Sequence, residues 1–324
     1  MSRIFSGIQP SGSVHIGNYL GALKSWIDLQ SKESETLYCV VDLHALTQTP
    51  KAEELRENTQ RIVKAFLAIG LDPEKSILFR QSDVPEHAEL AWILSCVTSM
   101  GDLSRMTQFK EKSEKQKFVN LGLFSYPVLM AADVLLYRAE KVPVGEDQVQ
   151  HLELAREIAR RFNSRFGDTF PEPQPILSKA PRILGLDGIK KMSKSLNNEI
   201  GLFETPEEIW KKLSTAMTDP ARQRRTDPGE PTKCNVFTLH GFFSSEKKCE
   251  ELAVGCRTAG IGCMDCKKVL SENIAQALEP IRKGAEKLEA NPEIVSQVLN
   301  EGALKARKIA QETMDLVRSR VGIG

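Results

Sequence analysis

The chain has 324 residues, 41% of them hydrophobic and 27% charged, enough to bury a large core and to divide into two domains. Lys and Arg number 44 against 43 Asp and Glu, so a net charge of +1 excludes a global field for nucleic acid or membranes, and any polyanion site must be local. Met1 to Pro10 has neither the basic stretch nor the apolar run of a signal peptide, and no apolar run elsewhere is long enough to span a bilayer; a cytoplasmic protein without a membrane partner is expected.

In chain order, short apolar runs alternate with helical patterns up to about residue 200, which predicts a parallel sheet wrapped by helices. Strands are expected at Ile4–Gln9, Thr36–Asp42, Ser76–Gln81 and near Pro175–Ser178, with helices over Gly17–Gln30 and Glu53–Ile69. Ligands of such folds bind at the carboxyl edge of the sheet. The turn Gln9-Pro10-Ser11-Gly12-Ser13-Val14-His15-Ile16-Gly17-Asn18 leaves the first strand there and enters a helix, so its free amides suit phosphate. Gly17 lets a nucleotide approach the backbone, and His15 and Asn18 can donate to phosphate oxygens. Alone, the same turn also reads as a plain Gly-Ser connection with one solvent-facing histidine.

Further along, Tyr126-Pro127-Val128-Leu129-Met130-Ala131-Ala132-Asp133 reads as a helix with Pro127 in its first turn, and Tyr126, Met130 and Asp133 on one face. A carboxylate inside an apolar helix needs a donor, and an indole N–H is one; Met130 adapts to a large ring. A neighbouring Lys or Arg would serve Asp133 equally, with Met130 then a core residue. In Val144-Gly145-Glu146-Asp147-Gln148, Gly145 can pack under a ribose while a carboxylate takes its hydroxyls. Lys191-Met192-Ser193-Lys194-Ser195 is a loop whose two ammonium groups suit a pyrophosphate that exists only once a bond has broken, although a solvated Lys/Ser loop looks the same.

Beyond residue 200 the pattern becomes helical. Thr205 as N-cap, Pro206 at the first position and Glu208 reaching back predict a helix start; Ala221–Pro231 reads as a loop; helices follow at Lys267–Leu288 and Pro292–Val321. The last carries an apolar stripe at Val295, Val298, Leu299, Ala306, Ile309, Ala310, Met314 and Val317. The basic residues Arg222, Arg224, Arg225, Lys247, Lys248, Lys267 and Lys268 offer the local polyanion site. Of seven cysteines, Cys234, Cys256, Cys263 and Cys266 are spaced as four thiolate ligands, for which zinc and an iron–sulfur cluster are both compatible and free thiols the plain alternative. Cys249 is a spare, and Cys39 and Cys96 read as core.

The turn at His15, the Gly145 segment and the Lys191 loop, in this order, resemble the signatures of class I aminoacyl-tRNA synthetases, and Asn18 in place of a second histidine resembles the tryptophan and tyrosine subclass. The stretch from Tyr126 to Leu135 resembles bacterial tryptophanyl-tRNA synthetases; the Gln and second Asp pattern of tyrosine enzymes is missing. That resemblance implies a Rossmann-like α/β catalytic domain with a helical insertion over residues 1–200 and an all-α domain that binds the tRNA anticodon over 201–324. It implies ATP contacts from Gln9, Pro10, Ser11, Gly17, Asn18, Gly145, Glu146, Asp147, Ile183, Lys191, Met192, Ser193, Lys194 and Ser195, with Mg²⁺ riding on the phosphates. His15, Asn18, Lys112, Lys191 and Lys194 would be catalytic. Asp133 would read the indole nitrogen, Tyr126 and Gln148 the ammonium, and Phe5, His44, Met130 and Val142 would line the ring pocket.

A subset of the bacterial enzymes resembles this chain in its four cysteines and implies a [4Fe–4S] cluster, zinc being the alternative. Partners implied are L-tryptophan, tRNA(Trp) and a second copy in a homodimer. A tryptophan or tRNA sensor is disfavoured by intact His15, Asn18, Lys191 and Lys194; a small-molecule nucleotidyltransferase by the long helical half; an iron–sulfur redox protein would require a redox partner.

Overall fold

The computed structural model describes residues 2–12, 14–30, 35–115, 118–177 and 183–324, without the side chains of Lys115, Asp147 and Ser195. Five parallel strands form one sheet: β1 (Arg3–Ile8), β2 (Glu35–Val40), β3 (Ser76–Arg80), β4 (Lys141–Val144) and β5 (Gln174–Leu177), ordered β3-β2-β1-β4-β5. The order reverses direction at β1, and the crevice at that switch point is where parallel sheets bind ligands. Three expected strands end one or two residues early. The second stops before Asp42 because that carboxylate accepts the backbone N–H and hydroxyl of Ser82, at 3.0 and 2.5 Å, which turns the chain into the short helix Asp42–Ala45. The expected fourth strand is β5, and its predicted last residue, Ser178, lies outside the described residues. Sequence patterning passed over β4, four residues long and carrying Pro143, a residue that argues against a strand.

The predicted helix over Gly17–Gln30 is real but divided: an α-turn (Ile16–Asn18), a π-turn (Tyr19–Leu23) and an α-helix (Lys24–Gln30). A π-turn directly after the His15 motif re-aims the backbone where function is expected. The main helices are α1 (Ala52–Ala68), α2 (Glu86–Ser95), α3 (Leu121–Leu136), α4 (Val149–Phe166), α5 (Pro206–Ser214), α6 (Asn235–Phe243), α7 (Glu246–Arg257), α8 (Cys263–Ala290) and α9 (Glu293–Val321). Pro127 is not in a first turn but inside α3, which is capped by Asn120, whose Oδ1 accepts the Leu123 N–H at 2.8 Å. Proline costs the helix one backbone bond, here the one to Leu123, and burial of most of Val128–Leu136 offsets it. α5 begins as expected, Thr205 and Glu208 exchanging the two bonds of a capping box.

Packing is continuous across residue 200. α9 lies so close to β3 that a Cβ on Gly302 would sit 1.8 Å from the Leu78 carbonyl oxygen, and its stripe joins the sheet's core through Ala306, Ala310, Met314 and Val317. The other core joins Ile16, Trp26 and Phe66 to Leu213, Leu270, Leu278 and Leu299. Cys39 is core as expected, but Cys96, at the C-terminal end of α2, is exposed. Among the described residues no helix is long and apolar enough to cross a membrane.

Candidate active site

The first functional segment grows from β1, the centre of the sheet. His15 caps the helix that follows: its Nδ1 accepts the Asn18 N–H at 3.3 Å, and Asn18 Oδ1 accepts the His15 N–H at 3.1 Å. Asparagine at 18 is therefore part of the cap, with its amide nitrogen left as a donor. Acceptance at Nδ1 places the proton of the neutral ring on Nε2, a donor for an incoming anion. His15 is buried rather than solvent-facing. Burial, opposed by Glu199 and reinforced by Lys191 and Lys212, pulls its imidazole down to about 4, so it is neutral at pH 7.

That value has a consequence for stability. The unfolded chain takes up a proton at His15 near pH 6.5, the folded chain only near 4, so acid favours unfolding. The contribution is fully present above pH 6.5 and is lost as pH falls through about 4. Urea midpoints followed from pH 7 to 4 should fall further for the wild type than for His15→Gln; parallel curves would contradict the assignment.

The second segment, residues 183–202, folds back on the first. Leu184 and Lys191 form an antiparallel bridge, the Met192 N–H donates to Ile183 at 3.2 Å, and the Ile16 and Leu202 N–H groups donate to Ile200 and Val14 at 2.9 and 3.1 Å. Gly12 packs on Lys194, whose Cδ lies 3.3 Å from the site of a Cβ, and Gly17 packs likewise on Met192. The two signatures, with His15 and Lys191 176 positions apart in sequence, thus make one surface. Lys191 and Lys194 are exposed, and among the described residues neither ammonium pairs with a carboxylate. Buried Asn198 shapes the loop: its Oδ1 accepts the Ser193 N–H at 2.8 Å and its Nδ2 donates to Asp187 Oδ2 at 2.8 Å. Lys212 of α5 anchors the loop's end by donating to the Glu199 carbonyl at 2.9 Å and to Glu204 at 2.6 Å. Sequence reading missed Asn198, Asp187, Glu199 and Lys212; the only signal was a polar Asn-Asn-Glu run after the lysines.

Of the other expected nucleotide contacts, Gln9, Pro10 and Ser11 follow β1 in a tight turn with the Ser11 N–H on the Gln9 carbonyl at 2.8 Å. Gly145 and Glu146 follow β4, the neighbour of β1, and so sit at the same sheet edge. Ile183 is buried behind the loop. The side chains of Asp147 and Ser195 lie outside the described residues.

A third group of side chains surrounds Asp133, 2% exposed on α3. Its partners are neither Lys nor Arg. Oδ1 accepts from Gln81 Nε2 at 2.6 Å and His87 Nδ1 at 2.7 Å, and Oδ2 from His44 Nε2 at 2.8 Å. Burial alone would raise this carboxyl; His44 and then His87 outweigh it and hold Asp133 below the usual carboxylate range. The His44 ring meets Tyr126 edge-on at 6.2 Å, and the Tyr126 hydroxyl lies 2.6 Å from His151 Nε2 and donates to Gln108 at 3.1 Å. The Lys112 ammonium sits over the Tyr126 ring, 5.1 Å from its centre, and burial pulls its pKa down. Lys112 is thus half-buried against an aromatic ring. Met130 and Gln148 are half-buried, whereas Phe5 and Val142 are core residues. Sequence reading missed His87 and Gln81, which come from segments remote from α3 and carry no motif.

In the helical half, α8 starts one turn earlier than expected, placing Cys263 and Cys266 in its first turn. The Cys266 thiol is pushed up to about 12 by burial and then by the neighbouring Cys234, Cys256 and Cys263, and the Arg222 guanidinium donates to Cys256 Sγ at 3.8 Å. Among the described residues no three His, Cys, Asp or Glu side chains are grouped to hold a single metal ion. The basic surface is smaller than expected: Arg222 is buried and donates to the Arg225 and Ile261 carbonyls, and buried Lys267 to the Ser214 carbonyl, because both serve as internal donors to loop backbone. Arg224, Arg225, Lys247 and Lys268 are exposed.

Comparison with known proteins points the same way. Residues 1–279 match the model of the tRNA synthetases class I (W and Y) family. The tryptophan–tRNA ligase of Deinococcus radiodurans is 54% identical, over 99% of both chains, and that of Thermotoga maritima 47%, also over 99% of both. The crystal structure of the Campylobacter jejuni tryptophanyl-tRNA synthetase complexed with ADP and tryptophan superposes with a TM-score of 0.92 at 39% identity, over 99% of this chain and 100% of that one.

Proposed function

The chain belongs to the class I tRNA synthetases of the tryptophan and tyrosine group, and from that membership we propose that it joins L-tryptophan to tRNA(Trp) at the expense of ATP. The observation that carries the choice of amino acid is similarity to tryptophan–tRNA ligases along nearly the whole chain, at 54% and 47% identity. Asp133 is its physical counterpart: an ionised, buried acceptor suits the indole N–H and rejects a side chain that brings no donor to that place. The tryptophan carboxylate attacks the α-phosphorus of ATP, and the bond to the bridging oxygen breaks to release pyrophosphate. The terminal ribose hydroxyl of the tRNA then attacks the acyl carbon of the adenylate, releasing AMP.

No side chain acts as nucleophile; rate comes from placement and from charge. His15 Nε2–H and Asn18 Nδ2 donate to phosphate oxygens, and Lys191 and Lys194 neutralise the departing pyrophosphate. Lys112 reaches the phosphates from its place over Tyr126. Gly145, Glu146 and Asp147 take the ribose, while Tyr126 and Gln148 take the ammonium. Mg²⁺ bound with the ATP would supply further charge neutralisation. With purified protein, ATP–pyrophosphate exchange should run with tryptophan and stay at background with tyrosine. Exchange with neither, from folded protein, would favour a sensor.

Cys234, Cys256, Cys263 and Cys266 are proposed to hold a [4Fe–4S] cluster. Four soft donors in one neighbourhood, Cys234 buried and the other three half-buried, with a guanidinium beside Cys256, fit an anionic iron–sulfur group. Zinc, which four thiolates also hold, is the alternative occupant. Protein prepared without oxygen should contain about four iron and four sulfide per chain, lost in Cys263→Ser; zinc in their place would reverse the assignment. Two functional domains, catalytic over 1–200 and anticodon-binding over 201–324, complete the proposal, with exposed Arg224, Arg225, Lys247 and Lys268 on the tRNA path. A homodimer is part of the proposal, with exposed Trp92, Met100 and Leu121 as candidate contact residues; sedimentation as a monomer would exclude it. With these substrates a cytoplasmic location is proposed.

A further inference from the structure

Asp133 is supported from behind, on the side away from Tyr126, by groups that touch no substrate in the reading above. His87, fully buried on α2, faces Asp133 Oδ1 through Nδ1 at 2.7 Å and Tyr137 Oη through Nε2 at 2.8 Å. Tyr137 cannot swing away: its ring stacks on Phe5 at 5.5 Å and meets Phe79 edge-on at 5.5 Å. Burial pushes its phenol well above the ordinary range, so the hydroxyl keeps its proton. Among the described residues His87 Nε2 is the acceptor that hydroxyl finds. A Tyr137 O–H donating to Nε2 puts the proton of a neutral His87 on Nδ1, where it donates to Asp133. The Gln81 amide is oriented in the same way, because the Leu43 N–H donates to its Oε1 at 3.1 Å and leaves Nε2 to donate to Oδ1.

A carboxylate oxygen accepts about two hydrogen bonds. Oδ1 is therefore filled by Gln81 and His87, while Oδ2 holds His44 alone and keeps one place, on the side where His44 meets Tyr126. We propose that His87 and Tyr137 are positioning residues: with Gln81 they saturate Oδ1 and fix the Asp133 plane, so that its open acceptor site faces the substrate ring, and they thereby set selectivity for a ring bearing N–H. The proposal rests on the reading of Asp133 as the residue that meets the indole. α9 steadies the same helix from outside, Arg307 pairing with Glu86 and Arg318 with Glu89 on either side of His87.

The test compares ATP–pyrophosphate exchange with tryptophan and with 3-benzothienylalanine, in which sulfur replaces the indole N–H, for the full chain and for Tyr137→Phe. The wild type should favour tryptophan. Tyr137→Phe, one oxygen smaller, should cut that preference about tenfold, the effect of one buried hydrogen bond, through the KM for tryptophan, with the analogue and ATP constants unmoved. A wild-type ratio near one would sink the Asp133 reading itself. Strong wild-type preference with an unchanged ratio in Tyr137→Phe would overturn the positioning role alone. Should Tyr137→Phe not fold, the histidine ¹⁵N spectrum of the wild type decides: His87 protonated on Nδ1 and bare on Nε2 upholds the proposal, and the reverse tautomer ends it.

Discussion

Lys194→Ala should lower the maximal rate of ATP–pyrophosphate exchange about 10²–10³-fold, the usual effect of removing one group aimed at developing charge. The Lys194 stem lies on Gly12, so the ammonium is carried on the turn proposed to cradle the phosphates, yet it stays exposed and unpaired with any carboxylate among the described residues. A charge without an internal partner is available for one that appears during the reaction. Because pyrophosphate charge grows only as the α-phosphorus bond breaks, the loss should fall on kcat rather than on the binding of ATP. The KM for tryptophan should stay nearly constant, since Asp133 and its neighbours belong to a separate side-chain group. Lys194→Arg should recover part of the rate by keeping the charge. A variant that loses tryptophan affinity instead would show that the loop shapes the amino-acid pocket.

Residues whose chemistry acts locally could be read directly from the chain. The capping box at Thr205 and the stripe of α9 depend on neighbours three and four positions away, and both appear as expected. The His15 and Lys191 signatures were legible as motifs, but their union depends on the Ile16 and Leu202 backbone bonds, which no composition or period encodes. Elsewhere tertiary contacts overrode local preference. Pro127 sits in mid-helix because the helix around it is buried, and β4 accepts Pro143 between two neighbouring strands. Arg222 and Lys267 look like surface charge in the sequence, yet serve as buried donors to loop carbonyls. The partners of Asp133 were hidden for the same reason: His44, Gln81 and His87 are assembled by β2, β3 and α2.

The second large effect is expected at that assembly. Asp133→Ala leaves three buried donors facing an empty place, and breaking a buried charged network by removing one member costs about 3–5 kcal/mol. Asp133→Asn is milder in shape but wrong in kind, because its amide N–H₂ must confront Gln81 and His87 or His44, all donors towards this side chain. With tryptophan its kcat/KM should fall by about 10²–10⁴, as when a site built for a hydrogen bond loses its match, while the KM for ATP changes little. Stability carries a second signature. Asp133 titrates lower in the folded chain than in the unfolded one, so as pH falls the unfolded chain takes the proton first. The stabilisation is therefore complete above the ordinary carboxylate range, about pH 4, and is lost as pH drops through the lower folded value. The stability gap between wild type and Asp133→Asn, followed by urea unfolding from pH 7 to 3, should stay constant until about pH 5 and then close. A gap that widens in acid would mean that His44 and His87 do not outweigh burial, and that the carboxyl enters the folded state protonated.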